Sequence, residues 1–249
     1  MYDGFNLLEE TKKAEAGNTD SMRNVAFYLL YENDGDKIEP EITERCMRYL
    51  EAAVEAGNPD AMLDLGGMYI DGLGIPKDRE KGLEYYLMAL ETGFPYAFGR
   101  TANFYLYDED NEGLGYLPQT DDEERREKAF DYFLAGAEAG HGGCLNDVGV
   151  MWMCGEIGER DPEKAFEYFM KAFTAEYADY SDRAEAAYNI AQCYHYGEGT
   201  EANLELAKEY AQKSVDFEAL NEKNGLSRSD YFKNRYSEEL YKIIADMEE

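Results

Sequence analysis

The chain repeats itself, and that constrains its fold more than anything else in it. In "GNPDAMLDLGGMYIDGLG", residues 57–74, the pattern Ala61-x3-Leu65-Gly66-x2-Tyr69-x2-Gly72-x-Gly74 is set out most fully. It recurs as Ala186, Ile190, Ala191, Tyr194, Gly197, Gly199, and as Cys144, Val148, Gly149, Trp152, Gly155. Weaker copies are Ala97, Thr101, Ala102, Tyr105 and Ser21, Val25, Ala26, Leu29. Each copy is followed by a tyrosine with a small residue three positions before it: Cys46 and Tyr49, Gly82 and Tyr85, Ala129 and Tyr132, Ala165 and Tyr168, Ala207 and Tyr210. A period of this size marks stacked supersecondary units, and it changes the meaning of every motif inside it.

Small and apolar residues at offsets 0, 4, 5 and 8 lie on one face of a 3.6-residue period, so both patterns are helical. The first-pattern aromatic and the following tyrosine are 16 apart in three copies (69 to 85, 152 to 168, 194 to 210), whereas longer connections carry inserts in the others. Asn58-Pro59 and Asp161-Pro162 set a capping side chain before a first-turn proline, and Thr120-x-x-Glu123 has the form of a capping box. Gly17, Gly57, Gly93 and Gly140 fall where a left-handed residue closes a helix. The spacing predicts first helices near 18–32, 58–71, 94–107, 141–154 and 181–196, and second helices near 40–56, 78–92, 121–139, 161–175 and 201–217. Residues 3–16 add a leading helix and "SRSDYFKNRYSEELYKIIADMEE" a closing one.

Units such as "AGNPDAMLDLGGMYIDGLGIPKDREKGLEYYLMALETG" and "AEAAYNIAQCYHYGEGTEANLELAKEYAQKS" resemble Sel1-like repeats, relatives of the tetratricopeptide repeat. The resemblance covers about residues 10 to 217. It implies an all-α, right-handed α-solenoid of about five Sel1-like helix-turn-helix repeats with N- and C-terminal capping helices. The expected organisation is a single solenoid over 1–249: a leading half-repeat 1–17, repeats 18–57, 58–93, 94–140, 141–180 and 181–217, and a closing helix 218–249. It also implies a scaffold that binds other proteins. Some secreted relatives carry a disulfide in each repeat; the region where the first cysteine of such a pair belongs reads "LAGAEAG", which sets the chain apart from that branch.

The charge balance of 24 Lys plus Arg against 54 Asp plus Glu gives −30. Such a chain repels phosphate backbones and anionic bilayers, so direct nucleic-acid or membrane binding is not expected, and a partner with basic segments is. An acidic mimic of nucleic acid acting on a DNA-binding protein is the related alternative. The N-terminus lacks a basic region followed by an apolar run, and no stretch approaches the roughly 18 apolar residues of a membrane span. Cys46, Cys144, Cys154 and Cys193 form no metal-ligand spacing, and a reducing cytoplasm is the expected location.

No nucleophile-elbow, zinc-protease or phosphate-loop string occurs, so no catalytic residues, resident metal or cofactor are expected. Gly72-x-Gly74 has neither the preceding strand nor the lysine of a phosphate loop. Cys193 and His195 are two apart on a helix and point to different faces. Asp108 to Gln119 has Asp at positions 1 and 3, Glu at 5 and Gly at 6 of a calcium loop, but Gln119 stands where the bidentate Glu belongs. A calcium-responsive or enzymatic module using 108–119 is therefore the alternative to a scaffold.

Offsets 3, 6 and 10 of each first helix turn away from the core, and in related solenoids that side lines the concave surface. The candidate peptide-binding groove is Asn24, Phe27, Tyr31, Asp64, Asp71, Arg100, Asn103, Tyr107, Asp147, Asn189, Gln192 and Tyr196. Amides there can pair with a peptide backbone, tyrosines offer contact area at low entropy cost, and Asp64, Asp71 and Asp147 match basic side chains.

Overall fold

The computed structural model describes residues 6–31, 39–107, 123–156 and 158–223, with the backbone alone at 31, 222 and 223. Its described regular elements are α-helices: α1 Leu7–Glu15, α2 Thr19–Tyr31, α3 Pro40–Glu55, α4 Pro59–Asp71, α5 Arg79–Glu91, α6 Pro95–Leu106, α7 Glu123–Glu138, α8 Gly142–Cys154, α9 Pro162–Phe173, α10 Tyr180–Tyr196 and α11 Leu204–Lys223. Within each compact unit consecutive helices pack on one another, α1 to α5 in turn in the first and α7 to α11 in the second, as helical hairpins of the α-solenoid architecture that the repeat predicts. The predicted helices match these within a few residues, except that α11 runs on past 217, where no left-handed glycine stops it. The 108–119 loop, the Thr120 cap and the 227–249 closing helix lie outside the described residues.

The constant spacing of 16 has a main-chain cause. The backbone carbonyl of the first-helix aromatic accepts a hydrogen bond from the N–H nine residues later: Asp78 to Tyr69 at 2.8 Å, Asp161 to Trp152 at 3.0 Å, Asn203 to Tyr194 at 2.8 Å. That same later residue caps the second helix, its side-chain oxygen accepting from the N–H of Lys81 (3.0 Å), Lys164 (3.0 Å) or Leu206 (3.1 Å). Seven residues beyond that cap stands the invariant tyrosine of the repeat, which completes the spacing of 16. The reversal needs a left-handed residue straight after the first helix, and Gly72 and Gly74, at φ 73° and 70°, supply two in the second copy.

The chain packs as two compact units, Met1–Thr101 and Ala102–Glu249. In the first, Ala26, Leu30, Cys46, Leu50, Ala53, Ala61, Leu65 and Met68 form one buried cluster from α2, α3 and α4. Here α4 and α5 cross at Gly66 and Gly82: a Cβ on Gly82 would stand 2.7 Å from the Gly66 carbonyl oxygen, so neither position has room for one. In the second unit Ala165, Phe169, Ile190 and Cys193 join α9 to α10, while Phe133 of α7 is 1% exposed.

Two expectations about the core are refined. The small slots Cys46, Ala129, Ala165 and Ala207 are all fully buried, as expected. The aromatics at offset 8 are only half-buried, and the residues one position earlier, Met68, Met151 and Cys193, go deeper. For three of them the reason is that the offset-8 ring lies over its repeat's tyrosine at the hairpin edge: Tyr69 on Tyr85 (centroids 5.8 Å, 8°), Tyr105 on Tyr132 (5.7 Å, 6°), Tyr194 on Tyr210 (6.0 Å, 26°), whereas Trp152 meets Phe130 edge-on at 6.4 Å. A lysine covers the outer face of the first two: Lys81 Nζ lies 4.2 Å from the Tyr69 centroid and Lys128 Nζ 5.8 Å from that of Tyr105. Lys164 Nζ does the same for Trp152 at 3.5 Å. The signal was available in the sequence, because Arg45, Lys81, Lys128 and Lys164 all stand four before the repeat tyrosine.

Candidate binding surface

Each first helix divides its side chains by turn geometry. Offsets 0, 4 and 5 are buried: Ala61, Leu65 and Gly66 in α4, Ala97, Thr101 and Ala102 in α6, Cys144, Val148 and Gly149 in α8, Ala186, Ile190 and Ala191 in α10. Among the described side chains, no candidate at offsets 3, 6 and 10 is buried. The side chain of Tyr31 lies outside the described residues.

In the first unit, Asn24, Asp71 and Arg100 are exposed and Phe27 and Asp64 half-buried. Asn24 Nδ2 reaches Glu10 Oε2 at 3.5 Å. Asp64 already has a basic partner: Arg23 Nε donates to its Oδ2, Arg23 Nη2 lies 3.4 Å from its Oδ1, and Arg23 Nη1 is 3.8 Å from Asp60. The Arg23 guanidinium also lies 4.9 Å from the Phe27 ring centroid. Burial works against the Arg23 charge, yet Asp64, Asp60 and Asp20 together raise its pKa. At Asp64 the balance goes the other way, since burial lifts the carboxyl above its usual range despite the arginine. Sequence reading missed Arg23, which sits beside the offset-3 position and signals nothing by spacing alone. Replacing Arg23 by glutamine should cost about 1–2 kcal/mol in urea unfolding at pH 7, because a half-buried carboxylate loses its partner. A variant as stable as the wild type would show the pair to be idle.

In the second unit, Asn103 and Tyr196 are exposed and Tyr107, Asp147, Asn189 and Gln192 half-buried. The structure brings Tyr107 together with Asp147: burial pushes the phenol up to about 12, and Asp147, Glu156 and Glu185 add to the rise. The charges that raise that phenol are carboxylates, while the Arg125 guanidinium donates to the Tyr107 backbone carbonyl at 3.3 Å. Asn189 Nδ2 donates to Asn146 Oδ1 at 2.8 Å, tying α10 to α8, and Gln192 Nε2 donates to the Tyr188 hydroxyl at 2.8 Å. Asn189 thus spends an amide hydrogen inside the protein, while Tyr196 stands out at 66% exposure against His195 (centroids 4.6 Å). Glu156 and Glu185 join this surface, and the buried Asn146 supports it from beneath, all from outside the three chosen offsets, which is why the periodic reading did not include them.

The cysteines offer no activated sulfur. Burial raises the Cys46 and Cys193 thiols to about 12 and Cys144 well above its ordinary value. Among the described residues, no cluster of three or more His, Cys, Asp or Glu could hold a metal ion. None of the described helices is long and apolar enough to cross a membrane.

Five segments, residues 19–58, 59–94, 111–141, 144–176 and 184–216, match the family model of the Sel1 repeat, together well over half of the chain. The ERAD-associated E3 ubiquitin-protein ligase component HRD3A of Arabidopsis thaliana is 27% identical over 143 residues, 57% of this chain and 20% of that protein. The chain thus spans about a fifth of the curated relative it matches. Among solved structures, a protective antigen of uropathogenic Escherichia coli strains with an SLR fold superposes with a TM-score of 0.59 at 19% identity, covering 97% of this chain and 50% of that one. A Sel1 repeat protein from Oxalobacter formigenes superposes with a TM-score of 0.57 at 21% identity, covering 80% and 71%. Proteins of this family generally mediate protein–protein interaction. With five matched repeats and the helical hairpins to go with them, the chain belongs to the Sel1 repeat family.

Proposed function

We propose that this chain is a non-enzymatic scaffold that holds a protein or peptide segment on the stripe that offsets 3, 6 and 10 of the first helices present within a unit. One observation carries this reading: that face is left out of the core while offsets 0, 4 and 5 of the same helices are buried. A helix needs only its packing stripe to fold, so the polar and aromatic residues of the opposite stripe are not required by the core. The carboxylates around Tyr107 favour a segment with lysine or arginine side chains, and Tyr107 and Tyr196 supply aromatic contact area. Asp64 contributes less to such a match than its position suggests, because Arg23 already pairs with it.

Affinity purification with the wild-type chain and with a Glu185→Gln, Asp147→Asn double variant tests the reading. A partner that binds directly should lose about tenfold or more in affinity with the variant, and its affinity for the wild type should fall as salt rises. Equal binding by the two proteins, with no salt dependence, overturns it.

A further inference from the structure

In four of the five repeats the first helix begins with a side chain that accepts a backbone hydrogen bond from three residues on: Asn18, Asn58, His141 and Asp179. In the first and second copies it is an amide: Ser21 N–H donates to Asn18 Oδ1 at 2.8 Å, and Ala61 N–H to Asn58 Oδ1 at 2.9 Å. In the fourth copy the position is held by His141, whose Nδ1 accepts from Cys144 N–H at 3.1 Å. An amide oxygen keeps its lone pairs at any ordinary pH, but an imidazolium nitrogen has none to offer. The cap of α8 therefore exists only while His141 is neutral.

The position of His141 makes this more than a local matter. Its own N–H donates to the Gly136 carbonyl at the end of α7 (3.0 Å). The residues beside it are bonded to the segment leading into α10: Gly142 N–H to the Tyr177 carbonyl at 2.9 Å, and Tyr177 N–H to the Gly140 carbonyl at 3.3 Å. A Cβ on Gly142 would stand 2.9 Å from the Ala178 Cα, so the two segments lie against each other without slack. The residue is 8% exposed. The charge that acts on the ring is Asp179 at the start of α10, held in a reciprocal capping box with Asp182; a Cβ on Gly143 would meet Asp182 Oδ1 at 2.9 Å and the His141 ring at 3.0 Å, so both lie against that glycine, while α7 meets the residue through the Gly136 carbonyl at its backbone N–H.

We propose that the joint of α7, α8 and α10 is a protonation-sensitive latch, in which uptake of a proton by His141 frees the Cys144 N–H and loosens the bridge to Tyr177. Burial resists that proton and Asp179 attracts it, and burial prevails, pushing His141 from 6.5 down to about 4. Above 6.5 the ring is neutral whether the chain is folded or not, and its contribution is fully present. As pH falls from 6.5 toward 4 the unfolded chain takes up a proton that the folded chain refuses, so the contribution is lost over that window. A displacement of this size corresponds to about 300-fold in the folding equilibrium.

The test compares the full chain with His141→Asn, which restores the amide cap of the first two copies and does not titrate. The carboxylates change both proteins alike, so the quantity to follow is the ratio of their folding equilibrium constants between pH 7 and 4. That ratio should fall by up to about 300-fold for the wild type, and the protection of the Gly142 and Cys144 amides, relative to their intrinsic exchange at each pH, should drop over the same window in the wild type alone. His195→Asn should follow the wild type. Proton NMR of the wild-type ring, where there are two histidines to distinguish, reads the site directly even if His141→Asn folds poorly. Titration of His141 near 6.5, or parallel pH profiles for the two proteins, overturns the latch.

Discussion

Gly82→Ala should destabilise the chain by about 2–3 kcal/mol, although alanine is the better helix former by ~1 kcal/mol. The new methyl would lie 2.7 Å from the Gly66 carbonyl oxygen and overlap the Ile70 side chain. The oxygen belongs to the backbone of α4 and cannot swing aside, so the two helices must separate and Tyr86 must lose its seat between them. Gly66→Ala meets the same obstacle from the other side, 2.9 Å from the Gly82 carbonyl and 2.6 Å from the Tyr86 ring. Because both substitutions force the same separation, the double variant should cost less than the two singles added. The control is Gly67→Ala, whose methyl would meet the Tyr86 hydroxyl at 3.7 Å and should be neutral or stabilising by up to ~1 kcal/mol. Urea unfolding followed by circular dichroism separates the cases, and equal midpoints for Gly82→Ala and Gly67→Ala would refute the crossing.

Phe133→Ala should cost about 3–5 kcal/mol, against about 1–2 kcal/mol for Tyr132→Ala. Phe133 is 1% exposed, and truncating it leaves a void that the flanking helices fill only in part. Tyr132 is half-buried and stacks on Tyr105 at 5.7 Å, so water occupies much of the space that it vacates. The ordering is the informative result: if the tyrosine is the costlier residue, the edge stack and not the buried ring holds the hairpin.

That contrast also marks how much of the fold was legible. The repeat tyrosine is the letter that never varies, yet the core position is the residue after it: Leu50, Tyr86, Phe133, Phe169 and Ala211, all buried and each different from its counterparts in most copies. A buried slot accepts whatever fills the local volume, whereas the edge slot requires a flat ring to stack, so invariance pointed to geometry and not to depth. Helix positions and the caps Asn58 and Asp161 were readable because period, proline and capping chemistry act over a few residues.

The candidate surface was legible as a stripe and not as a set of partners. Offsets 3, 6 and 10 identify residues that avoid the core, which is a property of one helix. That Asp64 is held by Arg23, 41 residues away, and Asn189 by Asn146, 43 away, depends on how successive hairpins meet, and no local pattern encodes it. Glu156 and Glu185 enter through Tyr107 in the same way.

The hydrogen bond that closes the hairpins has one more consequence. Between Tyr69 and Asp78 the chain reads "IDGLGIPK", between Trp152 and Asp161 "MCGEIGER", and between Tyr194 and Asn203 "HYGEGTEA", and in all three the two flanking residues are joined carbonyl to N–H. The first glycine is the one letter that these turns share at the same place throughout. Their curvature is therefore carried by the main chain and by the glycines at positive φ, Gly72 and Gly74, Gly155 and Gly158, Gly197 and Gly199, and the remaining turn positions can diverge in charge and size while that hydrogen bond and those glycines are kept. The turns are consequently the place where new recognition surface could be grafted on such a scaffold while the register of its helices stays as it is.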